Sequence, residues 1–141
     1  TVVGDSEEAR VVKIAVNSML GGTMQLLAEA TLMAEAAGVE RSVFLDALDS
    51  TVMASRFVSY KGAALRDRDY APTFTTSGML KDMALAADLA QSNGVGLPVG
   101  RAVLTQLAKA VDAGYGPDDF LSLFCVEQAE AGQPVDLERG H

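Results

Sequence analysis

The 141-residue chain has few of the residues from which disulfide frameworks and many metal or catalytic sites are built. It contains one cysteine, Cys125, one histidine, His141, and no tryptophan. A single cysteine excludes an intramolecular disulfide framework and a zinc site built on several cysteines. A single histidine disfavours metal sites and catalytic dyads that depend on imidazole. We therefore expect no bound metal.

Positive charge is also scarce, since 11 Lys and Arg residues face 19 Asp and Glu residues and the net charge is −8. An acidic chain repels phosphate backbones, so we expect no nucleic-acid partner. No uninterrupted apolar run approaches the roughly 18 residues that cross a bilayer, and no signal peptide is visible. We expect a cytoplasmic protein with no membrane partner. Because the chain begins at Thr1 and not at methionine, we also expect a fragment or a processed product.

Long proline-free segments with apolar residues at helical spacing predict an all-α domain. The first helix is predicted from Ser6 to about Ala37, where Gly38 ends it. Its apolar residues cover nearly the whole circumference, which is typical of a helix inside a bundle or at a subunit contact. We predict that this helix is central and that the chain forms a homodimer. Gly21 and Gly22 predict either a bend or close packing against bare backbone.

Five shorter helices are predicted, each bounded by capping or turn residues. They run from Arg41 to Leu48, from Ser55 to Leu65, from a cap at 75–77 to Ser92, from Pro98 to Gly114, and from 116 through Phe124. The β-branched runs are too short and too few for a sheet. The fold class is therefore all-α, with six or so helices around one long central helix. The helical domain spans residues 1–131, and the polar tail 132–141 is expected to fray.

Several common catalytic motifs are absent from the sequence. No G-x-G-x-x-G occurs, and the glycine pairs at 94–96 and 114–116 follow helices and not strands, so neither fits a dinucleotide fingerprint. Walker, H-E-x-x-H and G-x-S-x-G motifs are also absent. The acid pairs Glu7-Glu8 and Asp118-Asp119 stand at predicted helix starts, where acids stabilise the helix dipole.

Lys13 and Asn17 are the unusual polar residues of the long helix. They lie four positions apart, so they project from one helix face about one turn apart. The pattern alone favours a solvent-facing surface on which the lysine head reaches water. The alternative is a cleft in which the lysine transfers a proton and the amide orients a substrate hydroxyl or carboxylate. Lys81-Asp82 is the second candidate, and the pattern alone favours a solvated charge pair there.

The ordered set of motifs resembles the C-terminal helical domain of the β-hydroxyacid dehydrogenases, and in particular the 3-hydroxyisobutyrate dehydrogenase branch. Lys13-Ile14-Ala15-Val16-Asn17 resembles the K-x-x-x-N segment that opens this domain. The remaining segments follow in the family's order. Residues 29–38 resemble the end of its long helix, the segment from Phe74 to Met83 resembles its F…KDL segment, and residues 97–99 and 114–120 resemble parts of its last two helices. The resemblance covers residues 4–124.

This resemblance implies a fold like the C-terminal domain of 6-phosphogluconate dehydrogenase. In the family a Rossmann domain comes first, and this chain lacks it. The resemblance also implies a role for each matching residue. Lys13 is the catalytic general acid/base, and Asn17 binds substrate and helps to hold the lysine. Lys81 lines the cofactor side of the cleft, Phe74 packs near the nicotinamide, and Asp82 is structural.

The implied function is an NAD- or NADP-dependent oxidoreductase in the full-length parent. It would transfer a hydride between the nicotinamide cofactor and a small β-hydroxy acid or its semialdehyde. The chain alone is expected to be inactive, because the phosphate-binding loop lies in the Rossmann domain. The alternative that the residues leave open is a non-catalytic helical module for dimerisation or partner binding.

Overall fold

The structure, a computed structural model, describes residues 6–139 of the chain. Within this range every regular element is helical, which confirms the predicted all-α class. One π-helical turn at Val111–Tyr115 and one 3₁₀ turn at Phe120–Ser122 accompany six α-helices. These are α1 Ser6–Ala36, α2 Arg41–Asp49, α3 Arg56–Asp67, α4 Thr76–Ser92, α5 Pro98–Ala110 and α6 Leu123–Glu130.

The helix starts follow the capping residues visible in the sequence. The side chain of Ser55 accepts a hydrogen bond from the Val58 N–H and begins α3. Thr75 accepts in the same way from Gly78 and begins α4. Each bond satisfies one backbone donor that the first helical turn leaves without a partner. Pro98 stands in the first turn of α5, where its missing N–H costs nothing.

Helix α5 is shorter than predicted. It gives way after residue 110 to the π-helical turn, in which Gly114 has a φ of 97°. This left-handed conformation is readily adopted by glycine and strained for other residues. The last predicted helix also begins differently, because the 3₁₀ turn precedes α6. Local propensity therefore located these elements but not the change of helix type.

Helix α1 packs against each of the other five α-helices. Its buried stripe includes Met24, Leu27, Ala28 and Leu32, which join the hydrophobic core. Helix α1 is long and apolar enough to cross a membrane, judged by length and composition alone. The core helices of soluble proteins can have the same length and composition. The buried stripe accounts for part of this apolar composition.

The opposite face of α1 is apolar and exposed. Its exposed residues follow one another at intervals of 4, 3, 7 and 7: Val12, Val16, Met19, Leu26 and Met33. Met19 and Met33 leave 69% and 70% of their surface accessible. Packing inside the domain therefore buries one side of α1 only, and the apolar residues on the other side remain without cover from the described chain.

The two glycines of α1 differ in their surroundings. A Cβ on Gly21 would lie 3.0 Å from the Met83 sulfur and 3.4 Å from the Met79 sulfur, whereas a Cβ on Gly22 would meet no atom within 4 Å. Gly21 thus permits α4 to approach the bare backbone of α1 closely. Of the two predicted explanations for this glycine pair, close packing is confirmed at Gly21.

The tail does not fray where the structure describes it. The buried carboxylate of Asp136 accepts hydrogen bonds from Arg41, Tyr70 and Gln128. Burial would raise the Asp136 pKa, but these bonds, with Arg41 contributing most, hold that pKa below its ordinary value. Over residues 132–139 the polar tail is thus anchored to the helices through the buried cation of Arg41, a contact that composition does not reveal. Predicted assignments for 1–5 and 140–141 lie outside the described residues.

Candidate functional site

Asn17 lies half-buried where α1 meets α4. Its Nδ2 atom donates a hydrogen bond of 2.7 Å to Oδ2 of Asp82. A carboxylate can only accept, so this bond directs the amide nitrogen towards α4 and the amide oxygen away from that contact. Asp82 thus fixes the orientation of the Asn17 amide, and the structural role that the family resemblance implies for Asp82 stays a prediction.

Asn17 forms part of the wall of an open pocket of about 310 Å³. We refer to this cavity as the Asn17 pocket. It lies between α1, α3, the start of α4 and the 3₁₀ turn. Aromatic and aliphatic side chains dominate its lining: Asn17, Leu20, Phe57, Tyr60, Lys61, Thr73, Phe74, Met79 and Phe120. A concave, mostly apolar site with a few polar groups is the usual form of a small-molecule site.

Phe74 stands at the edge of the Asn17 pocket with 39% of its surface exposed. Its ring packs edge-on against Phe120, with 6.3 Å between ring centroids and an interplanar angle of 82°. The Phe74 N–H and the Thr73 N–H both donate to Oδ1 of Asp119, which holds this segment in place. The structure thus brings together two of the four sequence-predicted site residues, Asn17 and Phe74.

The other two, Lys13 and Lys81, are exposed and do not line the Asn17 pocket. Lys13 lies one turn before Asn17 on α1, and Lys81 is the neighbour of Asp82 on α4. The hydrogen bond between Asn17 and Asp82 joins α1 to α4. Lys13 and Lys81 are therefore each close in sequence to one of the two residues that form this bond. The Asn17 amide donates to Asp82 and not to an acceptor near Lys13.

A buried ion pair between Lys61 and Asp119, which the sequence analysis did not predict, lies at the wall of the Asn17 pocket. Lys61 Nζ lies 2.7 Å from Oδ2 of Asp119, and both side chains are 3% exposed. Burial would raise the Asp119 pKa. Hydrogen bonds from Lys61 and from the backbone N–H groups of Leu121 and Thr73 outweigh that effect and lower the pKa.

Helical spacing contains a signal for Lys61, because it lies four residues after Phe57 and four before Leu65. A lysine on the buried stripe of a helix needs a partner. The partner could not be found from local pattern, since it lies 58 positions further along the chain. Asp119 does have the helix-start role predicted for it, because its side chain accepts from the Leu121 N–H.

Phe74 at the edge of the Asn17 pocket and Lys81 outside it both expose groups of the kind that contact a nicotinamide nucleotide. The accessible Phe74 ring can pack against a flat heteroaromatic group, and the exposed Lys81 ammonium can pair with a phosphate. Over residues 6–139 no group of three or more His, Cys, Asp or Glu side chains is arranged to hold a metal ion.

Comparison with known proteins finds a matching family model and several similar proteins. The family model for the NAD-binding domain of NADP-dependent 3-hydroxyisobutyrate dehydrogenase matches residues 8–126. Glyoxylate/succinic semialdehyde reductase 1 of Arabidopsis thaliana is 32% identical over 108 residues, which are 77% of this chain and 37% of the reductase. The cytokine-like nuclear factor N-PAC of Aedes aegypti is 27% identical over 122 residues, which are 86% of this chain and 22% of that protein.

Solved structures agree with these relatives. The crystal structure of 3-hydroxyisobutyrate dehydrogenase from Salmonella typhimurium superposes with a TM-score of 0.77 at 28% identity and covers 80% of this chain and 40% of the enzyme. The chain therefore spans about two fifths or less of the relatives that it matches. Since the matched model covers most of its length, the chain belongs to the β-hydroxyacid dehydrogenase family, as an all-α domain of the 3-hydroxyisobutyrate dehydrogenase type.

Proposed function

We propose that this chain is the helical domain of an NAD(P)-dependent oxidoreductase that acts on a small β-hydroxy acid or the matching semialdehyde. One observation carries the proposal. The K-x-x-x-N segment of a chain in this family places Asn17 in the wall of a ligand-sized pocket, with the exposed ring of Phe74 at its edge. An amide, an aromatic ring and nearby exposed lysines are the groups that such a substrate and cofactor require.

The proposed roles divide between the substrate and the cofactor. Lys13 accepts the proton of the substrate hydroxyl during oxidation and returns it during reduction. Asn17, oriented by Asp82, forms a hydrogen bond to the substrate. Phe74 packs beside the nicotinamide ring and Lys81 faces a cofactor phosphate. When bound, the nicotinamide cofactor takes up or supplies the hydride.

We propose that a Rossmann domain supplies the phosphate-binding loop. None of the described glycines lies between a strand and a helix, so nothing in residues 6–139 forms a dinucleotide fingerprint. We propose an arrangement of the 6-phosphogluconate dehydrogenase type, in which the helical domain closes the cleft of the nucleotide-binding domain. Alone, this chain is expected to show no turnover.

The activity can be tested with the full-length parent enzyme, NAD⁺ or NADP⁺ and a panel of short 3-hydroxy acids, by following absorbance of the reduced cofactor. We expect substrate-dependent reduction with at least one hydroxy acid. In that assay Asn17→Ala should raise KM about tenfold or more, because an oriented hydrogen bond to substrate is lost. Absence of turnover across the panel with both cofactors would overturn the proposed function.

We also propose that the chain forms a homodimer through the exposed face of α1. The apolar residues at heptad-like intervals from Val12 to Met33 form the kind of seam along which two helices pair. Sedimentation at micromolar concentration should give a dimer, and Leu26→Arg should give a folded monomer. Leu85→Arg is the matched control, since Leu85 is exposed on α4 and not on this seam. A wild-type monomer would contradict this proposal.

A non-catalytic helical module is the second candidate. It is favoured by the N-PAC relative, whose name describes a nuclear factor and not an enzyme. In this case the exposed face of α1 would serve assembly alone. The two candidates are separated by the turnover assay, because only the first requires hydroxy-acid-dependent reduction of the cofactor.

A further inference from the structure

The Asn17 pocket has a distinctive lining. Four aromatic side chains form much of it: Phe57, Tyr60, Phe74 and Phe120. Phe57 stacks on Phe120 at 6.1 Å between centroids, and Phe74 meets the same ring edge-on at 6.3 Å. The cavity therefore presents ring edges and ring faces around a space of about 310 Å³. Aromatic walls of this kind favour another apolar, flat group.

The charge in this pocket is already compensated. Lys61 is the only charged side chain among the described residues that line it. Its ammonium donates to Asp119 at 2.7 Å and to Thr73 Oγ1 at 3.3 Å, and lies 4.3 Å from the centroid of the Phe120 ring. Because the ammonium of Lys61 is already paired with the Asp119 carboxylate and lies over the Phe120 ring, it has little capacity to pair with a ligand anion. A second carboxylate entering the pocket would lose its hydration without gaining a free counter-ion.

The side chain of Asn17 in this wall is neutral. The Asn17 amide nitrogen is taken by Asp82, so the amide contributes an oriented dipole and no net charge. The pocket thus combines a neutral anchoring amide with a ring-lined interior, in which the charge of Lys61 is already paired with Asp119.

We infer that the Asn17 pocket is a substituent subsite, which accepts an uncharged, ring-sized apolar group of the hydroxy acid and excludes a second carboxylate. This inference rests on the proposed function and deepens it, because it names the substrate class. In this arrangement the hydroxyl and the carboxylate of the substrate remain at the open side, near Lys13 and Asn17. The substituent packs among Phe57, Tyr60 and Phe120.

Three substrates that differ only in the C2 substituent test the inference in the full-length enzyme. They are 3-hydroxyisobutyrate with a methyl group, 2-benzyl-3-hydroxypropanoate, and 2-(hydroxymethyl)butanedioate with a carboxymethyl group. We expect kcat/KM for the benzyl substrate to exceed that for the methyl substrate by about tenfold or more. The carboxymethyl substrate should be about tenfold or more below the methyl substrate. Equal values, or a preference for the diacid, would overturn the inference.

Tyr60→Arg provides a switch of specificity. Tyr60 is 51% exposed on the wall of the pocket, so arginine is accommodated there and adds a positive charge beside the proposed subsite. We expect the variant to gain activity with the diacid and to lose activity with the benzyl substrate. Val52→Arg is the control, because Val52 is 97% exposed and lies outside the pocket. If both variants have the same substrate ratio, the substituent does not bind in this pocket.

A binding measurement separates failure of the subsite from failure of the proposed function. Without any cofactor, 3-phenylpropanoate should shift the NMR signal of the Met79 methyl group, whereas succinate should not. An enzyme that turns over none of the three substrates but shows this shift retains the subsite and loses the proposed function. Absence of the Met79 shift at saturating probe would overturn the subsite, whatever the turnover.

Discussion

Replacing Lys13 by alanine in the full-length enzyme is expected to reduce kcat by about 10²–10⁴-fold, because the proton of the substrate hydroxyl then has no positioned acceptor. Stability should change little, since the Lys13 side chain is exposed and its removal opens no core cavity. KM should remain within a few-fold of the wild-type value. The measurement is steady-state reduction of the cofactor, together with thermal unfolding of both proteins.

A matched substitution controls for loss of a surface lysine. Lys109→Ala removes an exposed lysine that pairs with Glu130, far along the chain from the site. We expect wild-type turnover from this variant. Small primary amines in the buffer should restore part of the Lys13→Ala activity, because the side chain that they replace is accessible. Near-normal turnover of Lys13→Ala without added amine would remove Lys13 from the mechanism.

Replacing Asp119 by alanine is expected to lower the free energy of unfolding by about 3–5 kcal/mol, because it leaves the Lys61 ammonium buried without its counter-ion. Lys61→Met should be milder. In that variant Asp119 keeps its hydrogen bonds from the N–H groups of Thr73, Phe74 and Leu121. Urea unfolding at neutral pH measures both values. Losses below about 1 kcal/mol for both variants would contradict the assigned role of the pair.

The pH dependence of stability provides a second test of Asp119. Its folded-state pKa lies below the ordinary value. Such a group contributes stability above its unfolded-state pKa of about 3.9 and loses that contribution as the pH falls through the folded-state pKa. Wild-type protein should therefore lose more stability on acidification below about pH 4 than Asp119→Asn does. Asp88→Asn, at an exposed position of α4, should show the wild-type slope.

The fold was accessible from sequence wherever local chemistry decides it. The spacing of apolar residues and the caps at Ser55 and Thr75 placed α1, α3 and α4 to within about two residues, because helix ends depend on neighbours in the chain. The packing of Gly21 against α4 was one of two open explanations. The anchoring of Asp136 was not accessible, because its partner Arg41 lies 95 positions away.

The site was accessible in part for the same reason. Asn17 and Phe74 came from motifs, and the structure places both at one pocket. The aromatic lining and the buried pair of Lys61 with Asp119 depend on contacts between α3 and the 3₁₀ turn, which no local pattern encodes. Asp119 also accepts a hydrogen bond from the Phe74 N–H and so holds the backbone at Phe74. The position of Phe74, which a motif identified, therefore depends on a residue pair that no motif identified.

The crystal structure of the intact enzyme with oxidised cofactor and a 3-hydroxy acid tests the central claim most directly. The account predicts that Lys13 Nζ lies about 2.6–3.2 Å from the substrate hydroxyl oxygen. It also predicts a hydrogen bond between the Asn17 amide and the same ligand. A complex in which the hydroxyl is bound by other groups, while Lys13 remains in bulk solvent, would contradict it.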